Sequence, residues 1–211
     1  MLNVKRRASR PQSVPVHYAC RAGHVELRRF DASRDSFVAL TALLHRAFAP
    51  LGAQGLNCTC VDQTIEATRE RVLRGDCHVA VCDGQIVGTM TLYASDGEAS
   101  CELYRHDDVA SLRQFAVDPA WQGRGIGTLL IAFAEHWAAT RGYAQLALDT
   151  PQPATQQIAF YRGQGFRIVD FMRFAHRCYD SAILSKPPVA MRTLANWSRR
   201  LHATPQTAHA A

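Results

Sequence analysis

The chain has 211 residues, 47% of them hydrophobic, with 24 Lys and Arg against 18 Asp and Glu for a formal net charge of +6. That length supports one well-cored domain of about 150–200 residues and leaves little for a second. No apolar run approaches the roughly 20 residues that cross a bilayer, and the basic start Met1–Arg10 has no apolar block after it, so a membrane span and a secretory signal are both excluded as expectations.

Val25–Phe30 alternates apolar and polar residues as a half-buried strand does. Asp31 or Ser33 can cap the following helix, where Phe37, Leu40, Leu44 and Phe48 recur at helical spacing until Pro50, Gly52 and Gly55 end it. A second helix is predicted over Val61–Leu73, stopping at Gly75. Two strands follow, Cys77–Cys82 and Gln85–Tyr93, joined by the hairpin signal Asp83-Gly84. A polar loop, Ala94–Ala110, leads to the strand Ser111–Val117 and then to a glycine-rich loop. The helix after it shows Ile126, Leu130, Phe133 and Trp137 on one face and ends at Gly142. Gln145–Thr150 reads as a strand, Thr155–Arg162 as a short helix, Phe166–Phe174 as a strand and Ser181–Leu184 as a final one. A further short helix over Met191–Leu201 is compatible with the pattern.

Charge is unevenly spread. Lys5, Arg6, Arg7, Arg10 and Arg21 precede residue 22, and Lys186, Arg192, Arg199 and Arg200 close the chain, with no acid in either segment. The body between them is mildly acidic, which is compatible with a cationic substrate. The basic ends lack aromatic interleaving and any recognisable nucleic-acid module, so solvated tails are expected rather than a nucleic-acid partner. The seven cysteines are odd in number and contain no C-x-x-C; Cys58-Thr-Cys60 has no second ligand pair. They read as reduced thiols of a cytoplasmic protein with no metal centre.

The most informative segment is Phe115-Ala-Val-Asp-Pro-Ala-Trp-Gln-Gly-Arg-Gly-Ile-Gly-Thr128. Glycines at 123, 125 and 127 let backbone N–H groups gather around an anion, and the following helix aims the positive end of its dipole at the same place. The loop therefore suits a phosphate or pyrophosphate. A dinucleotide fingerprint fits poorly: Thr128 stands where its third glycine belongs, and Asp-Pro-Ala-Trp-Gln is too long for a tight turn, although Asp149 lies where a ribose-binding acid would. A nucleotide-hydrolysing loop lacks its Lys-Ser/Thr pair.

Gln122-Gly-Arg-Gly-Ile-Gly127, preceded by Phe-Ala-Val-Asp-Pro, resembles the Q/R-x-x-G-x-G/A signature of the GNAT superfamily of N-acetyltransferases. Ile158-Ala-Phe-Tyr-Arg-Gly-Gln-Gly-Phe166 is similar to that family's second hallmark, a helix carrying a tyrosine and ending in a glycine–aromatic pair. The resemblance covers about residues 25–186. It implies an α/β (α+β) fold of the GNAT type: a mixed, mostly antiparallel sheet of six to seven strands with splayed central strands, flanked by about four helices. It also implies an N-acetyltransferase domain over 23–186 between a basic, disordered tail (1–22) and a basic extension (187–211).

The same resemblance implies acetyl-CoA as co-substrate and direct acetyl transfer to a primary amine of a small molecule or peptide. Phe115, Ala116 and Val117 would hold the pantetheine arm, with the Val117 N–H as oxyanion donor. Gln122, Gly123, Arg124, Gly125, Ile126, Gly127 and Thr128 would hold the pyrophosphate, and Gln157 would add a contact. Tyr161 is the implied acid for the leaving sulfur. The general base is left open: Ser111 occupies the position of a glutamate in some relatives, and Glu102, His106, Asp107, Asp108, His176 and Tyr179 are candidates on the acceptor side. Ala154 stands where many relatives carry a cofactor-contacting asparagine, with Thr155 or Gln157 as substitutes. The acceptor-selective segments would be Leu51–Cys60, Ala94–Ala110 and His176–Ser181. A non-catalytic acyl-CoA-binding sensor or interaction module is the alternative function, and a homodimer is compatible with either.

Overall fold

A computed structural model describes residues 16–20 and 23–190. Among them eight strands form one sheet: β1 Val16–Cys20, β2 Gly23–Arg29, β3 Asp76–Cys82, β4 Gln85–Tyr93, β5 Val109–Val117, β6 Gln145–Pro151, β7 Arg167–Met172 and β8 Ser181–Lys186. Their spatial order is β1-β2-β3-β4-β5-β6-β8-β7, with every neighbour antiparallel except β5 and β6. The mixed, mostly antiparallel architecture is the expected one, with one strand more. The extra strand is β1, which pairs residue for residue with β2 (Val16↔Leu27 to Cys20↔Gly23), so the sheet begins inside the segment expected to be a tail. The candidate helix over 191–201 lies outside the described residues.

The helices are α1 Phe37–Ala53, α2 Thr59–Asp62, α3 Ile65–Arg74, α4 Ile126–Thr140 and α5 Thr155–Gly163. Their starts follow local chemistry. Ser36, not Asp31 or Ser33, caps α1, its Oγ accepting from the Ala39 N–H at 3.2 Å, while Asp31 and Ser33 bond each other in the preceding turn. Helix α1 runs through Pro50 and ends at Ala53, between the two glycines expected to stop it. The predicted helix 61–73 is two: extended backbone at Gln63 breaks it, and Thr64 restarts it by accepting from the Ala67 N–H. No helix among the described residues is long and apolar enough to cross a membrane.

The sheet buries both faces. Val79 and Val81 of β3 pack with Phe37 and Leu40 of α1 and Val72 of α3. Ala80 and Cys82 of the same strand point the other way, into a core of Met90, Leu112, Leu130, Trp137 and Leu148 around α4. This two-sided burial explains the near-continuous apolar run of β3. Asp83 and Gly84 both take positive φ (50° and 76°), as the tight hairpin requires.

Two irregularities shape the centre. Strands β5 and β6 pair only over Val109–Ser111 and Gln145–Ala147, then continue apart. Just beyond, β5 bulges against β4: Thr89 faces Ala116 but Thr91 faces Arg113. Gln114 takes the bulge with φ 48°, a left-handed conformation that costs a non-glycine residue about 1–2 kcal/mol.

Candidate active site

The gap between β5 and β6 opens into a cleft of about 700 Å³. Leu112–Val117 form one wall and Leu148–Pro151 the other, with the glycine loop, α5, the end of α1 and the segment before β8 closing it. All twelve residues expected at the site line this single cleft: Phe115, Ala116, Val117, Gln122, Gly123, Arg124, Gly125, Ile126, Gly127, Thr128, Gln157 and Tyr161.

Backbone direction follows from the ladder. The Asp118 N–H donates to the Val87 carbonyl at 2.9 Å, so alternation turns the backbone groups of Phe115 and Val117 away from β4 and toward the gap. The Val117 carbonyl accepts from Gln122 Nε2 at 3.1 Å, which ties the glycine loop to the strand end. An extended ligand arm in the gap thus meets strand-like backbone on β5.

The three glycines have different reasons. Gly123 (φ 73°) and Gly125 (φ 90°) hold conformations that L side chains rarely adopt, and Gly125 is the N-cap of α4. Gly127 is needed for space: a Cβ there would sit 3.2 Å from the Phe160 ring and 3.6 Å from that of Phe115. The loop presents N–H groups and a helix N-terminus to the cleft, a cradle that suits a pyrophosphate. Arg124 lies over the Trp121 ring at 4.8 Å.

Tyr161 is placed by aromatic packing. Its ring lies 5.9 Å from Phe115 and 6.0 Å, edge-on, from Phe166. The Phe166 N–H donates to the Tyr161 carbonyl, and Gly165 (φ 87°) makes the turn that brings Phe166 back. The glycine–aromatic pair of the sequence therefore serves to fix the tyrosine. Burial, reinforced by the negative charge of Asp149, pushes the Tyr161 phenol above its usual pKa.

Several expected acceptor-side groups lie elsewhere. Ser111 is buried where β5 still pairs with β6, and neither it nor Glu102, His106, Asp107, Asp108 or His176 lines the cleft. The loop before β5 contributes nothing to the lining, because it folds into a 3₁₀ turn (Glu102–Arg105) that packs Tyr104 against Val109, Ala147 and Ile183 of β5, β6 and β8. Ala154 is buried against Leu51, Cys58 and Tyr179, and Thr155 is not in the lining.

What does line that end is Phe48, Leu51, Cys58, Cys60, Arg71, Arg113, Gln114, Asp149, Phe174, Arg177 and Tyr179. Two segments expected to be selective meet there. Asn57 Nδ2 donates to the His176 carbonyl at 2.6 Å, the Cys178 N–H donates to Asn57 Oδ1 at 3.0 Å, and Arg177 donates to the Asn57 carbonyl and Thr59 Oγ1. Burial raises the pKa of the Cys58 and Cys60 thiols, so both stay protonated and are poor nucleophiles. Asp149 is the one carboxylate among the lining residues; it accepts from Tyr104 Oη at 3.0 Å and lies 3.8 Å from Arg113 Nη1. In the sequence, Asp149 stands out only as a candidate ribose-binding acid. Its position on the strand parallel to β5, at the point of splay, is the signal that would have found it.

Residues 39–166 match the family model described as acetyltransferase (GNAT) family. Among solved structures, a GNAT family acetyltransferase from Elizabethkingia anophelis with acetyl-CoA bound is 20% identical, with a TM-score of 0.56, over 77% of this chain and 97% of that one. The ribosomal-protein-S18-alanine N-acetyltransferase from Escherichia coli is 18% identical, with a TM-score of 0.58, over 81% and 98%. The GNAT domain of S. lividans PAT is 14% identical, with a TM-score of 0.61, over 82% and 96%. At these identities the likeness speaks to the fold. No curated protein sequence matches the chain.

Proposed function

Since the chain belongs to the acetyltransferase (GNAT) family, we propose that it moves an acetyl group from acetyl-CoA to a primary amine of a small molecule or peptide, by direct transfer. The observation that carries this reading is the gap between β5 and β6, with the Val117 backbone on one side, the glycine cradle at one end and Tyr161 facing in. The donor, when bound, supplies an activated thioester.

The protein's own groups supply the rest. The Val117 N–H is the donor aimed at oxyanion charge, worth about 2.7–4 kcal/mol for one preorganised hydrogen bond. Tyr161, held protonated by burial, gives its proton to the departing sulfur. Asp149 holds the acceptor's ammonium and takes its proton, the step an amine of pKa near 10 requires before attack. The protonated Cys58 and Cys60 favour transfer without an acyl-cysteine.

Thiol release from acetyl-CoA across a panel of amines tests the reading, beside melting curves with acetyl-CoA and with NAD. Turnover on some amine and a rise in melting temperature with acetyl-CoA alone are expected. Binding of acetyl-CoA without turnover on any amine would leave an acyl-CoA sensor instead.

A further inference from the structure

The charge inside the cleft is opposite to that of the body around it. Between residues 22 and 185 the chain carries more acids than bases, yet the cleft is lined by Arg71, Arg113, Arg124 and Arg177 against Asp149 alone. Arg124 belongs to the glycine loop. The other three stand at the opposite end: Arg113 precedes Val117 by four strand residues, roughly 13 Å, on the far side of the Gln114 bulge.

These three arginines reach the one cleft from separate elements. Arg71 of α3 donates to Gln63 Oε1 at 2.6 Å and lies 3.6 Å from Cys60 Sγ. Arg177 donates only to a carbonyl and a hydroxyl. Neither forms an ion pair among the described residues, and Arg113 has only the 3.8 Å approach to Asp149. Gln114 adds a neutral donor: it is 5% exposed, its Oε1 accepts from Thr91 at 3.1 Å, and its buried Nε2 has no partner. Phe48, Leu51 and Phe174 add apolar surface to the same end.

We infer that the acceptor is a small amine that also carries a carboxylate on an apolar body, with the ammonium on Asp149 and the carboxylate on Arg71, Arg113 and Arg177. This deepens the acetyl-transfer reading and rests on it for the identity of the reacting end. Arginine suits the task because its planar fork gives parallel, charge-assisted hydrogen bonds to a carboxylate. A lone cation without a carboxylate would meet three like charges for one opposite one, which the partly desolvated cleft makes costly.

The test compares leucine, leucinamide and isoamylamine as acceptors with the full-length protein. Leucine should exceed leucinamide by about tenfold or more in kcat/KM, since the amide leaves the guanidiniums without an anion. Arg113→Gln and Arg71→Gln should each raise KM for leucine and shrink the leucine-to-leucinamide ratio by about tenfold, with Arg71→Lys restoring part of it. Equal or better use of leucinamide overturns the inference, and so does a rise in KM for acetyl-CoA with no change in the acceptor ratio, which would assign the arginines to the donor. If no amine is turned over, the transfer reading fails separately. Calorimetry of N-acetyl-leucine against N-acetyl-leucinamide in the presence of CoA then decides: tighter binding of the acid supports the anion site, and equal binding removes it.

Discussion

Tyr104 donates its phenol proton to Asp149 Oδ1 at 3.0 Å, joining the 3₁₀ turn before β5 to the strand from which β5 departs. Arg113 lies over the same tyrosine ring at 4.3 Å. The carboxylate is therefore oriented by a neutral donor and flanked by a cation, at the point where the sheet opens. Tyr104→Phe should lower stability by about 1–2 kcal/mol, because Asp149 is partly exposed and water replaces the lost donor. Asp149→Asn should reduce kcat/KM for the amine by about 100-fold or more while acetyl-CoA affinity is retained. Urea denaturation and steady-state kinetics check the two halves.

Tyr161→Phe should slow transfer by about 100-fold with acetyl-CoA binding little changed, measured by single-turnover kinetics and calorimetry. An unchanged rate would remove Tyr161 from the chemistry.

Alkaline pH gives an independent test of burial. Tyr104, Tyr161 and Tyr179 all have their pKa raised, chiefly by burial. On unfolding, each phenol ionises near its ordinary value of about 10. Above that pH the native state binds more protons than the unfolded state, so stability falls as pH rises; below it the contribution is fully present. Melting temperature should therefore drop above about pH 10, and Tyr161→Phe should flatten that drop. Parallel slopes for the two proteins would mean that Tyr161 is not held neutral in the fold.

The glycine loop should separate conformation from space. Gly125→Ala forces a side chain to φ 90° at the head of α4 and should cost about 1–2 kcal/mol with a clear loss of acetyl-CoA affinity. Gly127→Ala presses on Phe160, which itself stacks on Phe115 at 6.0 Å, and should cost about 1–3 kcal/mol. Calorimetric Kd beside melting curves would show the first change acting mainly on the ligand and the second mainly on the fold.

Lys186 holds three elements together. Its Nζ donates to Glu135 Oε1 and to the Gln164 carbonyl, each at 2.7 Å, linking β8, α4 and the end of α5. Glu135 is 1% exposed, so Lys186→Met removes the cation beside a buried carboxylate and should cost about 3–5 kcal/mol. Adding Glu135→Leu should recover much of that loss in urea denaturation, since the buried charge is gone with its cation.

Elements with strong local signals were legible in the sequence. The hairpin at Asp83-Gly84, the periodic face of α4 and the paired glycine motifs needed only neighbours along the chain. Strand β1 was not legible, because an edge strand inside a basic, proline-bearing segment carries no alternation that stands out. The break at Gln63 was hidden because Thr64, which recaps the helix, falls within an otherwise helical pattern.

By itself the sequence determined the cradle: Gly123 and Gly125 satisfy a backbone requirement set within a few residues, and the turn at Gly165 returns the Phe166 N–H to the Tyr161 carbonyl. The tertiary structure alone decided what surrounds the acceptor. Arg71, Arg113, Asp149 and Arg177 come from a helix, two strands and a loop, and only the splay of β5 from β6 brings them to one cleft. A charge total along the chain reported an acidic body, whereas Coulomb interactions act through space, and in space the cleft is basic.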